Sequence, residues 1–66
     1  MPSTTEITVA TGDRYRVTGS PAEIERLILN AARGSIMELA WMVEAETGER
    51  LGLNPDCVVS LRAITA

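Results

Sequence analysis

The sequence predicts an α+β fold in which one amphipathic helix packs on one face of a small antiparallel sheet. Two runs of alternating apolar and polar residues flank a glycine near the N-terminus, a capped helical pattern follows, and two further apolar runs end the chain. Since the chain has only 66 residues, residues 1–66 form a single domain. The expected element order is β-β-α-β-β, with room for a further short strand at the end.

The N-terminal element is predicted to be a β-hairpin over residues 6–18. Its apolar residues recur at every second position on both sides of the sequence ATGD, and this period places them on one face, towards the core. Glu6 is expected opposite Arg14 or Arg16 on the outer face. The predicted inner residues are Ile7, Val9, Tyr15 and Val17.

The second element is predicted to be a helix from Pro21 to Arg33. Ser20 suits the N-cap, proline suits the first helical position, and Glu23 completes a capping box. Gly34 is the expected stop. Spacings of three and four residues predict a buried stripe, with Leu29 outside it. The stripe consists of Ile24, Leu27, Ile28 and Ala31.

Residues 36–45 allow two interpretations. As a helix, the segment would begin with a second capping box formed by Ser35 and Glu38. As a strand, it would alternate and form a hairpin through Gly48 with the apolar run that follows. We favour the strand, because a second helix would leave three short strands to cover two helices.

The last element is predicted to be a strand from Cys57 to Ile64. Asn54-Pro55-Asp56 precedes it and has the composition of a turn. Strict alternation would place one set of residues on a single face. That set is Cys57, Val59, Leu61 and Ala63.

Two stretches, GDRYRVTGSPAEIERLILNA and ETGERLGLNPDCVVSLRAI, resemble small uncharacterised proteins of actinobacteria and their phages. Those proteins have a hairpin, a Ser-Pro-capped helix and a second hairpin in the same order. The resemblance implies the strand interpretation of residues 36–45. It implies no catalytic residues.

The sequence offers little for catalysis, and we expect no enzyme, no cofactor and no metal. Cys57 is the only thiol and the chain has no histidine to activate it, so a small buried side chain or an intermolecular disulfide is expected. The glycines match no phosphate-binding motif. The carboxylates near the second hairpin are expected to form a solvated rim. They are Glu44, Glu46, Glu49 and Asp56.

Charge and hydropathy narrow the range of partners. The net charge of −3 disfavours nucleic acid, for which Arg14 and Arg16 would be the candidate contacts. The N-terminus does not have the pattern of a signal peptide, and no apolar run approaches the roughly 20 residues of a membrane span. We therefore expect a soluble, cytoplasmic protein.

The excess of apolar residues predicts self-association. A strand over residues 36–45 would be apolar on both faces, and one helix covers only one side of a small sheet. We expect a homodimer whose interface includes Ile36, Met37, Ala40, Trp41 and Met42. The predicted function is a small regulatory module that binds another protein. The alternatives are a dimeric nucleic-acid-binding regulator and a phage-type inhibitor of a host protein.

Overall fold

A computed structural model describes residues 3–34 and 38–64. One helix and five strands confirm the predicted α+β fold, and the fifth strand is the additional one that the sequence allowed. The strands are β1 (Thr4–Val9), β2 (Arg14–Thr18), β3 (Ala40–Val43), β4 (Arg50–Leu53) and β5 (Val58–Ile64). The helix α1 spans Pro21–Arg33, and a 3₁₀ turn spans Pro55–Cys57.

The strands form two antiparallel sheets that adjoin each other. The larger sheet has the order β2-β1-β5, and β3 pairs with β4 in a hairpin. The two sheets meet where Val17 on β2 bridges to Glu44, and the Ala45 N–H donates to the Arg16 carbonyl at 2.8 Å. The β3–β4 hairpin therefore continues the sheet beyond β2.

The N-terminal hairpin has the predicted faces. Ile7 and Val17 are fully buried, and Glu6 lies opposite Arg16. Thr5 is also fully buried, which the sequence did not predict. Its hydroxyl donates to the Gly19 carbonyl at 2.8 Å, which ties β1 to the residues that lead into α1.

Helix α1 has the predicted bounds and the predicted capping box between Ser20 and Glu23. The prediction that Leu27 is buried is wrong, since 40% of the residue is exposed. Leu27 lies about 60° around the helix from Ile24, at the margin of the stripe. Ile24 and Ala31 are buried and Ile28 is half-buried, so the covered face of the helix is narrower than the predicted stripe.

The strand interpretation of the ambiguous segment is correct for Ala40–Val43, which is shorter than the predicted range. Ala40 and Met42 point inward and join the core. Ile36 and Met37 lie outside the described residues. The buried apolar core is formed by Ile7, Val9, Val17, Ile24, Ala31, Ala40 and Met42.

A register shift in β5 overturns the predicted alternation. Thr8 lies opposite Ser60 and Val9 lies opposite Val58, so Val59 is an extra residue in a β-bulge. Val59 is consequently 66% exposed, although it was predicted to share a face with Leu61, which is half-buried.

Cys57 is exposed, and the prediction of a buried thiol at the start of a strand is wrong. The residue ends the 3₁₀ turn instead of beginning the strand. Its N–H donates to the Asn54 carbonyl at 2.9 Å, and its own carbonyl accepts from the Ala10 N–H at 2.8 Å. These backbone bonds are made at the rim of the sheet, where the thiol meets solvent.

Candidate functional site

The outer face of the β3–β4 hairpin carries an exposed apolar surface. Trp41 is 50% exposed and Val43 is 44% exposed, and both alternate with the buried residues of β3. Arg50 lies opposite Val43 on β4 and shares this face. We call Trp41, Val43 and Arg50 the Trp41 patch.

The indole of Trp41 is held in place by its neighbours on β4. A Cβ atom on Gly52, which lies opposite, would be 3.0 to 3.1 Å from three consecutive carbons of the six-membered ring. Because these distances are nearly equal, the face of the ring covers the glycine. The guanidinium carbon of Arg50 lies 5.0 Å from the ring centroid, within the range of a cation–π contact. Trp41 is therefore exposed and also fixed in orientation.

The residues predicted to form a self-association interface are divided by the structure. Ala40 and Met42 are buried in the core, because the inner face of β3 is covered by α1. They present almost no surface to another molecule. Of the predicted residues in the described ranges, Trp41 is the one available for contact.

The arginines predicted as nucleic-acid contacts lie on the outer face of the three-stranded sheet. Arg14 and Arg16 are exposed on β2, and the register adds Arg62 on β5, directly across Glu6 from Arg16. Arg62 is a further candidate that the sequence pattern does not single out, although its position in the last strand places it opposite the buried face. A depression beside β2 also contains acidic residues, which lie next to Arg14 and Arg16. It is lined by Glu6, Arg14, Tyr15, Arg16, Glu44 and Glu46.

The carboxylates near the second hairpin lie mostly at the surface. Glu46, Glu49 and Asp56 are exposed and Glu44 is half-buried. The Thr47 hydroxyl donates to the Glu44 carboxylate at 2.7 Å, which orders the tip of the hairpin. In residues 3–34 and 38–64, no group of three or more acidic, cysteine or histidine side chains is arranged to hold a metal ion.

Comparison of the chain with protein-family models, curated proteins and solved structures finds no match. Within the part of the chain that the structure describes, no helix is long and apolar enough to cross a membrane.

Proposed function

We propose that the protein is a non-enzymatic module that self-associates and binds another protein through the Trp41 patch. The observation that supports this proposal most directly is the half-exposed indole, held in one orientation over Gly52. An inhibitor of a host protein would have the same function with a different partner.

The chemistry of the patch suits recognition of a protein surface. Single exposed apolar residues are ordinary on a soluble domain, but Trp41 and Val43 are neighbours on one strand face. Tryptophan and arginine are also the residues most often found at the energetic centres of protein interfaces. Because Trp41 is already positioned, its binding costs less side-chain entropy than that of a mobile residue.

A comparison of two single variants tests the proposal. When a lysate of the organism that produces the protein is passed over it, immobilised wild-type protein is expected to retain a binding partner that immobilised Trp41→Ala does not retain. Leu29→Ala is the matched control, because Leu29 is a large apolar residue that is 48% exposed on α1. Retention by wild type and Leu29→Ala alone supports the patch.

The captured protein is then purified and titrated against each variant by calorimetry. An interfacial tryptophan contributes about 2 kcal/mol or more, so Trp41→Ala should weaken binding by roughly 30-fold. Equal affinity of the wild-type and Trp41→Ala proteins would remove the patch from the interaction. Circular dichroism of each variant verifies that its fold is intact.

A second candidate function is binding of nucleic acid by a dimer. It is favoured by the register that groups Arg14, Arg16 and Arg62 on one sheet face. It ranks second because Glu6, Glu44 and Glu46 oppose that positive charge. The measurement is a fluorescence-anisotropy titration of single-stranded and duplex oligonucleotides at two salt concentrations. Salt-sensitive binding that is lost in Arg14→Ala/Arg16→Ala would promote this candidate.

A further inference from the structure

We infer that two copies of this chain associate by antiparallel pairing of their β4 strands, centred on Gly52. The inference deepens the proposed function and rests on it, because it names the self-association surface and extends the Trp41 patch across two copies. Among the described residues, β4 pairs with β3 alone, so its other edge has unpaired backbone donors and acceptors. Such an edge is a template for another strand.

The geometry of antiparallel pairs restricts the register. Residues directly opposite each other share a face, so a symmetric pair of identical strands must place one residue opposite itself. Centring on Gly52 places Leu51 opposite Leu53 of the second copy on the inner face. Both leucines are half-buried in the single chain and would become covered. On the outer face, Arg50 lies opposite Asn54 of the second copy, so no like charges meet.

The register centred on Leu51 is less favourable than the one centred on Gly52. Centring on Leu51 places Leu53 opposite Glu49 of the second copy, which puts a carboxylate against the apolar inner face. Gly52 at the centre also leaves the outer face at the symmetry axis without a side chain of β4, where the two indoles lie. A glycine at position 52 therefore suits both the pairing of the two β4 strands and the packing of the indole.

The same register brings the two tryptophans together. Each indole covers its own Gly52, and opposite residues in antiparallel strands are about 4.5–5.5 Å apart. The two rings therefore come into contact over the glycine pair. The Trp41 patches of both copies then adjoin on the outer face, where a third molecule could contact both.

Among the described strands, β5 also has an edge without a partner, and this edge is poorly suited to the role. The bulge at Val59 leaves Ser60–Ile64 as the regular stretch, and Arg62 is its middle residue. Symmetric pairing over that stretch would place Arg62 opposite itself, and like charges directly opposite are destabilising. A bulge and a charge are the features with which proteins protect an edge from pairing. The β4 edge has no bulge in its pairing with β3.

Sedimentation over a dilution series tests the association itself. We expect a species of twice the 7.1 kDa chain mass that dissociates on dilution. Trp41 is the only tryptophan, so any exciton coupling between indoles in circular dichroism comes from the dimer. This signal should disappear on dilution, at the concentrations at which the dimer dissociates. A monomer at every concentration overturns the inference.

Disulfide cross-linking tests the register. In a Cys57→Ala background, Arg50→Cys together with Asn54→Cys should give a covalent dimer on mild oxidation. In this register, the cysteine at position 50 of one copy lies opposite the cysteine at position 54 of the other. Each single variant should stay uncross-linked, because identical residues are then more than about 13 Å apart, beyond the reach of a disulfide. A folded double variant that dimerises without cross-linking overturns the inference.

A substitution that keeps the turn intact gives an independent measurement. Asn54→Asp retains the acceptor that caps the Asp56 N–H, and it places a carboxylate opposite Arg50 of the second copy. We expect the dissociation constant of the dimer to fall about threefold at low salt. The double variant Arg50→Gln/Asn54→Asp should not show this decrease. No gain in Asn54→Asp overturns the inference. If the chain is monomeric but Trp41→Ala still abolishes partner capture, self-association fails, while the proposed binding of another protein through the Trp41 patch stands.

Discussion

The face of the Trp41 indole covers Gly52, its direct partner on the neighbouring strand of the β3–β4 hairpin. The glycine has no side chain to protect its backbone, and the ring supplies that cover from the adjacent strand. In return, the missing Cβ lets the ring lie close to the sheet. The two residues depend on each other for both conformation and packing.

Gly52→Ala should therefore have opposite effects in two backgrounds. In the wild type, the new methyl group would press on the ring at about 3.0 Å and displace it, lowering the free energy of unfolding by roughly 1 kcal/mol or more. In Trp41→Ala, the same substitution should be neutral or stabilising by about 0.5–1 kcal/mol, since alanine is less flexible than glycine. Urea unfolding monitored by circular dichroism measures all four proteins. Equal effects in the two backgrounds would contradict the contact.

Met42→Ala and Val43→Ala should differ widely although the residues are adjacent. Met42 is buried in the core, and its truncation should cost about 2–5 kcal/mol. Since a domain of this size has roughly 3–5 kcal/mol of stability, that variant should be largely unfolded. Val43 is exposed, and its truncation should cost only about 1 kcal/mol or less, chiefly the strand preference of a β-branched residue. Thermal unfolding compares them, and the reverse order would show that the faces of β3 are assigned wrongly.

Thr5→Val should destabilise the protein by about 1 kcal/mol. The substitution keeps the shape of the side chain but removes the hydroxyl that donates to the Gly19 carbonyl. Thr8→Val is the control, because Thr8 lies on the outer face of the same strand, where a β-branched apolar residue is tolerated. If both variants unfold at the same urea concentration as the wild type, the Thr5 hydrogen bond contributes nothing.

Ser20→Ala should lower the free energy of unfolding by about 1 kcal/mol. The Ser20 hydroxyl accepts from the Glu23 N–H at 3.2 Å, and alanine leaves that donor without its cap. Ser20→Asp retains an acceptor at the helix N-terminus and should stay close to the wild type. Equal stability of the alanine and aspartate variants would mean that the cap is not used in solution.

Cys57 should react with a thiol reagent in the folded protein. Its side chain is exposed at the end of the 3₁₀ turn, so labelling by iodoacetamide should proceed at similar rates in native buffer and in denaturant. Cys57→Ser should leave stability within about 0.5 kcal/mol of the wild type. Strong protection of the native thiol would instead place the residue in a buried environment, as the sequence alone had suggested.

Local sequence signals are sufficient to predict α1 and the first hairpin. The start of α1 follows from Ser20, Pro21 and Glu23, which act within a single turn of the chain, and its end follows from Gly34. The faces of the first hairpin follow from strict alternation around one glycine turn. In these segments, each residue's neighbours in sequence are also its decisive neighbours in space, so pattern was sufficient.

Tertiary structure decided the rest, because it depended on what packs against each element from a distance. β3 is apolar on both faces, and only the position of α1 determines that Met42 is buried and Trp41 exposed. The bulge at Val59 arises from the fit of β5 to β1, and no residue within β5 signals it. The candidate surface was therefore predictable as far as Trp41 itself. The contacts of Trp41 with Gly52 and Arg50 could not be predicted, because they depend on the register between β3 and β4. That register is a relationship between two strands and not a property of either one.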